Sequence, residues 1–136
     1  MEELFKALSV SASGLRAQSA RMQIIAENIA NSKSLPQSPG EDPYRRKVLT
    51  FSTELDRVHG VEIVKVDDVQ FDQSEFKSKY DPNHPGADEA GYVLQPNVTR
   101  LIESMDMREA QRTYEANLSV ISTARAMLMR TIGIIG

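Results

Sequence analysis

MREAQRTYEANLSVISTARAMLMRTIGII, residues 107–135, decides the fold. Met107, Tyr114, Ile121, Leu128 and Ile135 recur every seven residues, and Ala110, Asn117, Ala124 and Thr131 follow them at an offset of three. Apolar side chains on this spacing share one face of an α-helix, the pattern of a helix–helix seam. Leu118, Val120, Met127 and Ile132 widen the apolar surface beyond a single seam. Pro96 precedes Asn97, a residue type suited to an N-cap, and no Pro follows it. The spacing therefore predicts one helix from Asn97 to the end of the chain, about 58 Å long at ~1.5 Å per residue.

The other end of the chain carries a matching pattern. Leu8, Leu15, Met22 and Ile29 stand at sevenfold spacing, with Leu4, Ser11, Gln18 and Ile25 as companions. This predicts a helix over 3–31, about 43 Å long. Its seam is apolar at the ends and small or polar in the middle. Gly14 sits there among Ala12, Ser13, Ala17, Ser19 and Ala20, a surface that lets another backbone approach closely. Asn31 reads as a left-handed helix stop before Ser34-Leu35-Pro36. Helices this long cannot bury their faces within 136 residues, so they must pair with each other and also with something else.

All six Pro lie in residues 32–96. Lys47–Phe51, Val61–Val66 and Tyr92–Leu94 read as short strands, separated by turn-rich stretches at 37–43 and 81–91. The expected architecture is mainly α with a small β-rich middle: long terminal helices pairing as an antiparallel coiled-coil hairpin, joined by short strands and turns. The corresponding zones are 1–31, 32–96 and 97–136.

Composition narrows the function. A formal net charge of −3 argues against a protein dominated by nucleic-acid phosphates. The absence of Cys removes disulfides, thiolate metal sites and cysteine nucleophiles. No run of about 18 apolar residues is present to insert into a membrane. Glu2 and Glu3 stand where a cleavable signal peptide would be basic, and Arg16, Arg21 and Glu27 interrupt any apolar block.

No phosphate loop, nucleophile elbow or paired-carboxylate motif is present. Asp81, His84 and Asp88 in the stretch Tyr80–Asp88 have side chains suited to a divalent metal. Pro82 and Pro85 favour a fixed surface loop instead, with the Asp residues capping turns. His59 before Gly60 reads as a turn residue. Tyr44-Arg45-Arg46-Lys47 reads as a charged strand edge or as a contact with a neighbouring subunit. Gln18 and Asn117 are polar seam positions, either fixing register or solvated. These readings describe a structural subunit with no catalytic, cofactor or metal residues. A coiled-coil adaptor and a metallohydrolase built on the 81–88 loop are the alternatives.

A family resemblance sharpens this. Ser11-Ala12-Ser13-Gly14-Leu15, Ala17-Gln18, Arg21-Met22 and Asn28-Ile29-Ala30-Asn31 resemble the N-terminal signature of the bacterial flagellar axial proteins, the rod and hook group. Arg112, Tyr114, Glu115, Ala116 and Asn117 resemble the group's closing helix. Tyr80-Asp81-Pro82, His84-Pro85, Ala87-Asp88, Gly91-Tyr92-Val93 and Pro96-Asn97-Val98 look like the central motif of the proximal rod members. Ser34 stands where the group often has Thr, and Ile132-Gly133 where Leu is common.

The resemblance implies a subunit of the basal-body rod, the drive shaft crossing the periplasm. Such subunits leave uncleaved through the flagellar type III export apparatus. The implied partners are other rod proteins, a rod-base adaptor and copies of the chain itself. Another axial rod or hook subunit remains the alternative within the group. The expected assembly interface is Leu8, Leu15, Gln18, Met22, Ile25, Asn28, Ile29 and Asn31 on the first helix, with Met107, Tyr114, Asn117, Ile121 and Leu128 on the last. Partial disorder of both helices in the free subunit is also expected, because their apolar faces lack partners.

Overall fold

The computed structural model describes residues 1–135, with only the backbone of Ile135. The last heptad side chain, Ile135, thus lies outside the described residues. The order of elements is α1 (Glu2–Ala30), β1 (Lys47–Asp56), β2 (Val61–Phe71), β3 (Lys77–Tyr80), β4 (Tyr92–Gln95) and α2 (Arg100–Ile135). The expected mainly helical architecture with long terminal helices is what forms.

α1 runs for 29 residues without Pro, and Glu2 and Glu3 complement the positive end of its dipole. Asn31 closes it differently from the expected left-handed stop. No non-glycine residue has positive φ among the described residues. Instead the Asn31 amide Nδ2 donates to the Glu27 carbonyl at 2.9 Å, satisfying the last turn with a side chain. α2 runs for 36 residues and begins after Thr99, whose carbonyl accepts from Glu103 N at 3.0 Å. Asn97 is therefore not its N-cap. That side chain is turned to tertiary work described below.

β1 and β2 form a two-stranded sheet. The short turn between them makes the pair antiparallel. Gly60 closes that turn at φ 69°, a left-handed conformation that glycine adopts without strain. Both strands extend beyond the predicted runs because Thr53-Glu54-Leu55-Asp56 and Asp67-Asp68-Val69-Gln70 carry too many polar side chains to show a one-sided pattern. β3 and β4 pair antiparallel with Lys77 opposite Gln95 and Tyr80 opposite Tyr92. The rings of that last pair meet edge to face at 5.3 Å. β3 escapes the sequence reading altogether, since Lys-Ser-Lys-Tyr has no apolar alternation.

The chain divides into two compact units, each drawing on all three sequence zones. Unit 1 comprises Met1–Met22, Thr50–Asp68 and the chain from Arg108; unit 2 comprises Gln23–Leu49 and Val69–Met107. In unit 1 the buried positions are small: Ser11, Ser13, Ala17, Ala110 and Ala124. In unit 2 they are larger and partly polar: Ile25, Asn28, Val93, Pro96, Asn97, Val98 and Glu103. Burying Ile25, Val93 and Val98 contributes about 1.5–3 kcal/mol each.

Candidate assembly surface

In unit 1 the helices run antiparallel in contact. Arg21 reaches Glu109 at 3.8 Å, and a methyl group on Gly14 would sit 2.7 Å from Asn117 Nδ2. The small-residue cluster of α1 thus serves close helix approach, and Gly14 makes room for a seam side chain of α2. The ribbon β1–β2 is stitched to the same helix. Ser13 Oγ donates to Val10 O at 2.7 Å and accepts from Val64 N at 3.1 Å. Ser9 Oγ donates to Asp56 Oδ2 at 2.5 Å, and the His59 ring meets the same oxygen at 2.7 Å. The Ser9 and His59 hydrogen bonds hold the Asp56 carboxyl at about 2, below its usual range.

Unit 2 is tied by a polar knot. Asn28 Nδ2 donates to Lys47 O at 2.9 Å while its Oδ1 accepts from Lys47 N at 3.0 Å, so the side chain pairs with β1 as a strand would. Tyr44 donates to the same Oδ1 at 2.7 Å. Glu103, only 1% exposed, accepts from Arg46 Nε, and Asn28 Nδ2 approaches it at 3.4 Å. Asn97 Oδ1 accepts from Arg46 N at 2.7 Å, and its Nδ2 donates to Asp72 O at 3.0 Å. Burial alone would lower the Arg46 guanidinium, but the hydrogen bond and charge of Glu103, then those of Asp72, reverse this and raise it. Burial, and then the charges of Glu27 and Glu103, raise the Tyr44 phenol. Hydrogen bonds from Ser74, with Arg46 adding its charge, lower Asp72. Residues 44–47, read as a charged strand edge or a contact with a neighbouring subunit, are half-buried at the start of β1 and their charges are engaged within the chain. Arg46 is held by Glu103 and Asp72, Lys47 by Glu27 at 3.2 Å, and Arg45 lies over the Phe76 ring at 4.1 Å.

The predicted interface residues occupy the more sheltered faces of their helices. Leu8, Leu15, Gln18, Met22, Ile29 and Asn31 are half-buried, and Ile25 and Asn28 are buried. On α2, Met107, Tyr114, Asn117, Ile121 and Leu128 are half-buried, alternating with the buried Glu103, Ala110 and Ala124. Both flanks of the α2 seam carry outward apolar side chains, Leu118, Met129 and Ile132 on one and Val120 and Met127 on the other, and Phe5 and Val10 of α1 are outward as well. Leu101, Ile102 and Met105 are outward in unit 2, with Leu101 71% exposed. The sequence pattern marks part of this outward surface but misses Phe5, Val10, Leu101, Ile102, Met105 and Met129. Their only signal was an apolar side chain off the seam.

Two shallow grooves open along this surface. One, of about 440 Å³, lies between Leu4 and Ala7 of α1 and Val120 and Met127 of α2. Another, of about 390 Å³, is lined by Val10, Gln18, Phe51, Val64 and Asn117. Gln18 Oε1 is buried there without a hydrogen-bond partner among the described residues.

The central motif forms a self-bonded loop. Asp81 N donates to Gly91 O at 2.9 Å, Tyr92 N to Asp88 Oδ1 at 2.9 Å, and Gly86 N to His84 Nδ1 at 2.9 Å. Pro82 and the Tyr80 ring crowd Gly91, whose φ is 87°. Gly86 presses on the Pro36 carbonyl so closely that no Cβ fits. Pro85 is exposed beside it, and Pro96 is buried below β4. Among the described residues, no group of three His, Asp or Glu gathers as a metal set.

The chain is similar to known flagellar rod proteins. Residues 8–32 match the family described as flagella basal body rod protein, and residues 89–134 match the flagellar basal body rod FlgEFG protein C-terminal family. The chain is 50% identical over 135 residues to the flagellar basal-body rod protein FlgC of Agrobacterium fabrum, covering 99% of this chain and 97% of that one. The chain belongs to the FlgC family of flagellar basal-body rod proteins. It is 35% identical to the Bacillus subtilis FlgC over 145 residues, with 96% of this chain and 97% of that one covered. The Escherichia coli O157:H7 FlgC is 36% identical over 129 residues, at 95% and 96% coverage. As a member of this family the chain is a structural subunit of the basal-body rod, not an enzyme. It assembles with other rod components, and among the described residues no helix is long and apolar enough to cross a membrane.

Proposed function

We propose that this subunit polymerises through its terminal helices into the drive shaft needed for motility. The helical zones 1–31 and 97–136 act as the assembly domain, and 32–96 acts as a central spacer. The observation that carries this is the apolar surface on both flanks of α2, Leu118, Met129 and Ile132 on one and Val120 and Met127 on the other, which the chain itself leaves exposed. The family supplies the setting in which such a surface is covered. The half-buried seam residues Leu8, Leu15, Gln18, Met22, Ile29, Asn31, Met107, Tyr114, Asn117, Ile121 and Leu128 line the same helices and are closed over by neighbours, while the buried Ile25 and Asn28 fix the helix that presents them. The unpartnered Gln18 Oε1 supports this, because a buried acceptor without a donor costs about 1–3 kcal/mol until a neighbour supplies one.

The partners are other rod proteins, a rod-base adaptor and copies of this chain, arranged by contacts that do not close. Localisation in a rod crossing the periplasm, and export through the flagellar type III apparatus without a cleaved signal, belong to the same reading. The central loop from Tyr80 to Asn97 serves to direct the chain into α2. Met127→Asp combined with Val120→Asp tests the proposal. Swimming and rods visible by electron microscopy of basal bodies should be lost, while the purified variant keeps its helical circular dichroism. Normal swimming would mean that the interface lies elsewhere.

A further inference from the structure

The basic run at residues 44–47 is consumed inside the chain, yet a second set of cations is not. A groove of about 430 Å³ in unit 2 is flanked by Lys33, just after α1, by Lys77 and Lys79 of β3, and by Arg100 at the start of α2. Leu35 and Val98 form part of its wall. No acidic side chain lines it, and none of these four cations is in an ion pair among the described residues. Lys77 is positioned rather than neutralised: its ammonium donates to Val98 O and to Thr99 Oγ1, both at 3.3 Å. Alternation along β3 puts Lys77 and Lys79 on the same side of the strand.

The helix start adds to the field. The first turn of a helix ordinarily favours acidic side chains, because its free N–H groups are partly positive. Here Arg100 stands in that turn, and the one acid, Glu103, is turned inward to Arg46. An arrangement that sets cations beside a helix N-terminus, in a chain of net charge −3, breaks a local rule with no gain inside the chain. The missing gain is anionic and external.

We propose that this groove docks an acidic segment of a neighbouring rod subunit. Two or more carboxylates meet Lys33, Lys79 and Arg100, and an intervening apolar side chain rests on Leu35 and Val98. Such complementarity fixes partner choice and register more than bulk affinity. The inference rests on the rod reading, and its test separates the two. Basal bodies are isolated, treated with a carbodiimide, which condenses a lysine amine with a carboxylate in direct contact, and digested for mass spectrometry.

Peptides of this chain in the preparation test the rod reading by themselves. The docking account expects amide links from Lys33 or Lys79 to Asp or Glu of another rod subunit. It also expects Lys33→Glu/Lys79→Glu/Arg100→Glu to lose those links and swimming, and Lys33→Arg/Lys79→Arg to swim. Links confined to this chain, in basal bodies where other subunits do cross-link, would overturn it. So would normal swimming of the triple variant. Co-sedimentation of the purified chain with phosphatidylglycerol vesicles, lost in the triple variant and without inter-subunit links, would assign the groove to a membrane surface instead. If the triple variant does not fold, the wild-type cross-links still decide.

Discussion

The two units differ in what they bury, although both keep outward side chains for neighbours. Unit 2 buries Ile25, Val93, Pro96 and Val98 and closes its polar groups on one another through Asn28, Arg46, Asn97 and Glu103. Unit 1 buries only Ala and Ser and leaves Phe5, Val10, Leu118, Val120, Met127, Met129 and Ile132 facing outward. Small buried residues bring helices close but remove little apolar surface from water. The same two helices therefore change character along their length. Where the polar knot grips them the chain supplies its own stability, and beyond it they are held by thin packing and await neighbours. For a subunit that must assemble, this leaves shape chiefly to unit 2, while unit 1 depends more heavily on its neighbours.

The difference can be broken most severely in unit 2. Arg46→Met leaves the 1%-exposed Glu103 carboxylate without its main counter-charge, and loss of one partner of a buried pair costs about 3–5 kcal/mol. Thermal unfolding of the purified subunit should fall accordingly. The double variant Arg46→Met/Glu103→Leu should recover much of the loss, since an apolar pair carries no desolvated charge. Equal loss in both would show that shape, not charge, was at stake.

A smaller effect is expected at the helix approach in unit 1. Gly14→Ala favours the helix by about 1 kcal/mol but places a methyl group against Asn117, and overpacking costs about 1–3 kcal/mol. The clashing atoms are the far end of the Asn117 side chain, which can turn aside, so the net change in denaturant titration should be small, and Gly14→Ala should be more stabilising in an Asn117→Ala background. An equal gain in both backgrounds would mean that Asn117 does not pack on Gly14.

The smallest effect is a titration. Asp56 is held at about 2, against 3.8 in the unfolded chain, by Ser9 and then His59. A depressed carboxyl contributes stability that is present above its unfolded value and lost as pH falls towards its folded one. The clamp of the ribbon on α1 should therefore hold above pH 3.8 and fade as pH drops to about 2. Protection factors at Val64 and Gly60, corrected for the intrinsic exchange rate at each pH, should fall across that window, and Asp56→Asn should remove this fall. Asp72, also lowered, titrates in unit 2, so the Val64 readout isolates the clamp.

The division between the units was only half legible in sequence. Heptads name the helices and the sheltered face of α2, and the small residues around Gly14 announce a close approach that Asn117 then fills. The knot was hidden. Arg46 and Glu103 are 57 residues apart, and each looks like an ordinary surface charge. Asn31 and Asn97 are residue types that favour caps, but tertiary or side-chain partners decided their geometry. β3 had no pattern to read, and the basic groove exists only because β3 brings Lys77 and Lys79 to the helix start. Local periodicity speaks for elements, whereas pairings of long sequence separation speak only once the chain is folded.

Amide hydrogen exchange of the isolated subunit at low concentration, compared residue by residue between the units, tests the central claim most directly. The account predicts protection in residues 23–49 and 69–107, including the helical stretches 23–30 and 100–107. It predicts protection that is present but markedly weaker in 1–22 and 108–135, rising when the subunit is in assembled rods. Equally slow exchange along the whole of both helices in the dilute monomer would contradict it.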